Sequence, residues 1–235
     1  MAATRLPGKP LLKINNLSII SHVFKKAEEA NIGEVVVATD DQEILNDVLK
    51  NGGKAILTNK NHKTGTDRIF EAYEKLKIKN IDYILNLQGD EPDIDKDDII
   101  NLNNLMINKD AGLGTLAAKI SDDKMLNNRN VVKVVTDKKL TKNNFPTALN
   151  FTRDSLSIDI QNIYHHIGIY SYKVNILKKF VGLDQTNNEK INKLEQLRAL
   201  GNELKINVAL AKSSPIGVDT EEDYLAIKKI MEYKI

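Results

Sequence analysis

An α/β fold is predicted, with a mixed, mainly parallel sheet, helices on both faces and an antiparallel extension. Three observations lead there. Short β-branched runs alternate with amphipathic helical patterns over residues 18–87, the rhythm of a covered parallel sheet. From about Gly112 strand-like runs follow one another with little helix between them. The run Tyr83–Leu87 ends in Gln88-Gly89-Asp90-Glu91-Pro92, and open α/β sheets bind ligands just past such strand ends.

Each element has its own signal. Ser18 to Ala30 sets Ile19, Ile20, Val23, Phe24 and Ala27 at helical spacing. "EVVVATDD" reads as a buried strand, and residues 41–51 as a helix that stops at Gly52-Gly53. "KAILT" is a second strand. "TGTDRIFEAYEKLK" opens on cap-type residues and continues as a helix. "IDYILNL" is a third strand. "LGTLAAKI", "NVVKVVTD", "ALNFTRD" and "HHIGIYSY" supply the antiparallel extension, with a hairpin expected at Thr136–Leu140. Helices are expected at Lys190–Gly201 and Thr220–Tyr233, with the strand "INVALA" between them.

Composition narrows the function. There is no cysteine, so disulfides, thiolate nucleophiles and cysteine zinc sites are excluded. The net charge of +2 argues against nucleic acid or a membrane surface as partner. No apolar run approaches the roughly 18 residues of a membrane span, and the N-terminus lacks a signal-peptide core. A cytoplasmic location is expected. No linker demands a boundary, so 1–235 reads as a single domain.

Four short stretches carry candidate chemistry. Asp90 offers hard oxygen donors suited to Mg²⁺, Gly89 lets backbone approach a ligand, and Pro92 fixes the chain beyond. In isolation a solvated acidic turn would look the same. "TRLPGKP" combines Arg5 and Lys9 with Gly8 and two prolines, a basic loop able to hold phosphates. "HKTGTDR" places hydroxyl residues at a helix start, where it is either an N-cap or an anion site. "GVDTEEDY" places Asp219 before an acidic first turn, where Asp219 or Thr220 could serve simply as the cap.

Together "TRLPGKPL", "VVVATDD", "TGTDR", "NLQGDEP", "NVVKVV", "FTR", "HHIGIYSY", "LEQLR" and "GVDTEEDY", in this order, resemble the 3-deoxy-manno-octulosonate (Kdo) cytidylyltransferases over nearly the whole chain. The resemblance implies a nucleotide-diphospho-sugar transferase-like fold. It implies a nucleotide-binding part at about 1–110, a sugar-binding and dimerisation part at about 111–215, and a C-terminal helix at 219–235. It also implies a homodimer from a Gram-negative bacterium. The implied reaction joins CTP and Kdo to give CMP-Kdo and pyrophosphate, with Mg²⁺, for lipopolysaccharide synthesis.

By the same resemblance Asp90 and Asp219 are the metal carboxylates and, with Lys9, the catalytic set. Lys9 and Arg5 would meet the triphosphate, and Arg68 and Gln88 the base and ribose. Arg153 would meet the Kdo carboxylate, and His166 and Gln196 the sugar. Tyr170 fits core or dimer packing as well as a site, and Glu91 fits a second metal or a solvated position. His62 and His165 have no strong claim to a role. Two other readings fit the motifs: a synthetase for a sialic-acid-like sugar, and a remnant that binds nucleotide without turnover. No Gly-x-Gly-x-x-Gly follows a strand, which argues against a dinucleotide-binding dehydrogenase.

The sequence also departs from the family. Only Met1-Ala2-Ala3 precede "TRLPGKP", where the family has an apolar strand ending in Pro-Ala-Arg. Losing a central strand forfeits on the order of 1.5–3 kcal/mol for each buried apolar side chain. That rivals a domain stability of about 5–15 kcal/mol. The chain is therefore expected to be a shortened form, poorly stable or inactive. "NFTRDSLSID" also lacks the family's Pro-Ile-Pro-Trp tail, which bears on the setting of Arg153, and "VGLDQTNNEKIN" is less apolar than the family's link.

Overall fold

Side-chain caps set the starts of the α-helices in the first third of the chain. The computed structural model describes residues 6–120, 123–154 and 161–233. Two compact units are formed. One comprises Met1–Lys79, Leu87–Ile99 and Pro215–Ile235; the other comprises Asn80–Asn86 and Ile100–Ser214.

Strands β1 (Lys13–Ile14) and β2 (Leu17–Ser18) form a hairpin whose turn, Asn15-Asn16, has φ of 49° and 65°. Asparagine tolerates this left-handed region, and such turns match the strand twist. Ser18 then caps α1 (Ile19–Ala30), its side chain accepting from Ser21 N at 3.2 Å. Asp41 caps α2 (Gln42–Lys50), and Thr64 caps α3 (Gly65–Leu76). Between them β3 (Val37–Thr39) and β4 (Ala55–Leu57) pair in parallel as a two-stranded sheet.

Ile20, Phe24 and Val48 pack with Val35, Val37, Ile44 and Ala55. A Cβ on Gly53 would lie 2.7 Å from Val48 Cγ1 and 3.1 Å from the Phe24 ring, so glycine lets this turn close onto both helices. Ile14, Ile19, Val218 and Ile227 form another cluster, joined by Leu6, Leu12, Ile216, Tyr224 and Met231.

The remaining elements are β5 (Tyr83–Asn86), α4 (Lys96–Asn108), β6 (Leu113–Lys119), α5 (Asp123–Asn127), β7 (Lys133–Thr136), β8 (Ala148–Thr152) and β9 (Ile163–Lys173). They continue with α6 (Val174–Val181), α7 (Asn187–Asn192), α8 (Gln196–Gly201), β10 (Asn207–Leu210) and α9 (Glu221–Tyr233). Six strands of the second unit form one sheet in the order β10-β6-β9-β7-β8, with β5 also paired to β9. A bulge at Thr115/Leu116 shifts the register of β6 along β9.

The mixed sheet follows the expectation, with a different balance. Among the described residues β3–β4 and β10–β6 pair in parallel, while β1–β2, β5–β9, β6–β9, β7–β9 and β7–β8 are antiparallel. The cause is β9, long enough to take three antiparallel partners. The expected hairpin at Thr136–Leu140 is corrected. β7 and β8 do pair antiparallel, but through residues 137–147, because Leu140 N donates to the Tyr164 hydroxyl at 2.9 Å and pulls the chain aside. The expected helix Lys190–Gly201 divides into α7 and α8 at Lys193, which takes φ of 53°. Helices α4, α5 and α6 were not anticipated.

Candidate active site

In the first unit three distant segments meet at one nitrogen. Gly8 has φ of 70°, and Pro10 stands in the first turn of a short 3-10 helix, Lys9–Leu11. This bend holds the base of the Lys9 side chain. Its Nζ donates to Asp90 Oδ2 at 2.7 Å, to the carbonyl of Val218 at 2.8 Å and to Asp219 Oδ1 at 3.1 Å. The main chain ties the two acidic segments directly, since Val218 N donates to Asp90 O at 2.9 Å. Val218 is fully buried in the Ile14–Ile227 cluster, so its neighbour Asp219 is presented from an anchored loop.

The cap at α9 resolves an ambiguity of the sequence. Thr220 Oγ1 accepts from Asp223 N at 3.2 Å, and Asp223 Oδ2 accepts from Thr220 N at 2.9 Å. These two residues form a reciprocal cap. Asp219 Oδ1 is thereby directed to Lys9. Gly89 has a packing role as well: a Cβ there would lie 2.8 Å from Ile20 Cδ1.

Burial pulls the Lys9 pKa down, but the charge of Asp90 and the hydrogen bonds to both carboxylates outweigh it, so the ammonium is raised above its ordinary value. A cation of the protein's own therefore bridges the two carboxylates expected to hold metal. Their oxygens lie within 3.1 Å of a single nitrogen. Two hard oxygen donors suit Mg²⁺, which commonly takes one or two carboxylates and completes its shell with water and phosphate. Among the described residues no group of three or more His, Cys, Asp or Glu could hold an ion. The donor set thus fits an ion shared with a bound phosphate.

Arg68, on the first turn of α3, donates to Thr58 Oγ1 at 2.6 Å and pairs with Asp40 Oδ1 at 3.2 Å. It therefore lies at the carboxyl ends of β3 and β4, where those two partners sit. Asp40 and Thr58 were not singled out from sequence, although Asp40 stands in the quoted "VVVATDD". Gln88 is exposed after β5. Arg5 lies outside the described residues. His62 contacts Glu71 on α3.

The second unit carries the other candidates. Arg153 follows β8, and its guanidinium lies 3.4 Å from the carbonyls of Arg129 and Asn130. His166 is buried on β9, its Nε2 3.1 Å from Thr115 Oγ1 and its ring edge-on to Phe151 at 5.1 Å. Burial, then the charges of His165 and Arg153, lower its pKa to about 3. Gln196 opens α8 and lines a cavity of about 10 Å³ with Tyr170, Tyr172 and Phe180. Tyr170 also lies 5.4 Å from His166, ring to ring, which links these two positions. His165 Nδ1 lies 3.0 Å from Ser214 Oγ. Lys133, fully buried beside Arg153, was not recognised as a candidate from sequence.

Comparison with solved structures places this α/β arrangement among the nucleotide-sugar transferase-like folds. An apo UDP-glucose pyrophosphorylase superposes with a TM-score of 0.73 at 13% identity, covering all of this chain and 96% of its own. A CMP:2-keto-3-deoxy-manno-octonic acid synthetase complexed with CTP reaches a TM-score of 0.89 at 32% identity, over 99% and 95% of the two chains. The family model described as Cytidylyltransferase matches residues 1–206. The 3-deoxy-manno-octulosonate cytidylyltransferase of Thermodesulfovibrio yellowstonii is 44% identical over 97% of this chain and 94% of its own. That of Brucella suis is 41% identical over 95% and 89%. The chain belongs to the 3-deoxy-manno-octulosonate cytidylyltransferase family. Among the described residues no helix is long and apolar enough to cross a membrane.

Proposed function

We propose that this chain transfers the cytidylyl group of CTP to Kdo. The anomeric hydroxyl of Kdo forms a bond to the α-phosphorus, the bond to the β-phosphate oxygen breaks in line, pyrophosphate leaves and the hydroxyl proton passes to water. Such transfers depend on positioning and on charge neutralisation. In this reading Lys9 and Arg5 neutralise the triphosphate, Arg68 and Gln88 hold the nucleoside, and Arg153 takes the sugar carboxylate as a planar fork. His166 and Gln196 orient the sugar. Bound at Asp90 and Asp219, Mg²⁺ would supply charge neutralisation and a lowered hydroxyl pKa. A homodimer in the cytoplasm completes the proposal, supported by family resemblance alone.

The observation that carries this reading is the convergence of Lys9, Asp90 and Asp219 on one point in a chain so similar to Kdo cytidylyltransferases. The test is pyrophosphate release with CTP and Mg²⁺, comparing Kdo with a sialic acid. Release with Kdo is expected. Release with the sialic acid alone would select the other sugar, and release with neither would refute the activity.

A further inference from the structure

Lys133 is a buried cation that the reaction outlined above does not use. The residue is 0% exposed, and its pKa is lowered by burial first and then by Arg153 and Arg129, against the opposing charge of Asp154. His165, its partner across β7 and β9, faces it as well. Buried lysines usually meet a carboxylate. Lys133 Nζ instead donates to two main-chain carbonyls, Asn128 O at 3.0 Å and Arg153 O at 2.9 Å.

Those two contacts join the turn before β7 to the residue that follows β8. The register agrees, because Lys133 lies opposite Thr152, one residue before Arg153. Arg153 is thus held at both ends: Lys133, itself anchored on the carbonyl of Asn128, holds its main-chain carbonyl, and its guanidinium lies 3.4 Å from the carbonyls of Arg129 and Asn130. An apolar side chain would fill the space as well, but it could not hold a carbonyl. Three cations, Arg129, Lys133 and Arg153, stand here against Asp154, which pairs with Arg129 at 2.8 Å. The local field suits a carboxylate ligand.

We propose that Lys133 is a positioning residue that sets Arg153 for the carboxylate of the acidic sugar. The proposal rests on the functional reading above. Steady-state kinetics of Lys133→Met, Arg153→Ala and the double variant test it, with Kdo and CTP each varied. Lys133→Met is expected to raise the KM for Kdo about tenfold, since a small misplacement suffices, and to leave that for CTP within about twofold. The double variant is expected to match Arg153→Ala, because Lys133 acts through Arg153. Lys133→Gln, whose shorter side chain keeps a donor without the charge, replaces the methionine variant if that fails to fold, with a smaller rise expected that is still selective for Kdo. An equal rise for both substrates, or a double variant worse by the product of the two singles, overturns the proposal. An unchanged KM for Kdo in the Lys133 variants, with a rise in Arg153→Ala, overturns the role of Lys133 and leaves the functional reading intact. An unchanged KM for Kdo in every variant overturns both.

Discussion

Lys9 donates to the two carboxylates that a divalent ion would also seek, so a bound metal would compete with the lysine for the same oxygens. If Asp90 and Asp219 held an ion, Lys9 would be freed to meet the triphosphate. Lys9→Met removes the competitor and is expected to tighten Mn²⁺ binding to the nucleotide-free protein roughly tenfold, while turnover falls. Electron paramagnetic resonance of Mn²⁺ reads the affinity directly, and an unchanged affinity would rule out the competition. His166 offers a second residue-scale test. Its folded pKa is about 3, against an ordinary value of 6.5. The unfolded chain then binds more protons between these values, so stability is full above about pH 6.5 and is lost as pH falls toward 3. Between pH 7 and 5 its share of the loss is about 2 kcal/mol. Urea unfolding of His166→Gln should show a loss of stability between pH 7 and 5 smaller by that amount. Burial lowers His22 and His165 too, so the loss should shrink without vanishing.

Helix α8 is fastened by Arg198, whose Nε and Nη2 donate to the two carboxylate oxygens of Glu189 at 3.0 and 2.6 Å, with the guanidinium 4.8 Å from the centre of the Phe180 ring. Both side chains are 3% exposed. Burial pushes the Glu189 pKa up, and Arg198 and Gln185 more than reverse that, leaving it lowered. Arg198→Met would strand a buried carboxylate and is expected to cost about 3–5 kcal/mol, read by urea unfolding. A cost below about 1 kcal/mol would show that the pair does not hold this helix. The reading from sequence caught helices that begin on a capping side chain, as at Ser18, Asp41 and Thr64. It left out α6, which follows β9 without a break: Lys173 makes no side-chain cap, and Val174 and Ile176 look like more strand. It also left out α4, whose apolar positions Ile99, Leu102 and Met106 were masked by the acidic run before them.

For the whole molecule, the alternation of elements and the ordered motifs were enough for the fold class and the family. Strand pairing was less legible, because nothing local in "HHIGIYSY" announces three antiparallel partners. Asp90 and Asp219 were brought together by the family resemblance, since from local pattern alone Asp219 could equally have been a helix cap. Lys133 was not legible, since a lysine inside "VVKVV" reads as the exposed position of an alternating strand, whereas it is fully buried. The proposed reaction stands on Asp90 and Asp219 acting as one site, and pyrophosphate release by Asp90→Asn and Asp219→Asn with CTP, Kdo and Mg²⁺ is the measurement to make. With circular dichroism unchanged, each variant is expected to lose about a hundredfold or more in turnover. Wild-type turnover in either folded variant would mean that the two carboxylates do not share the work.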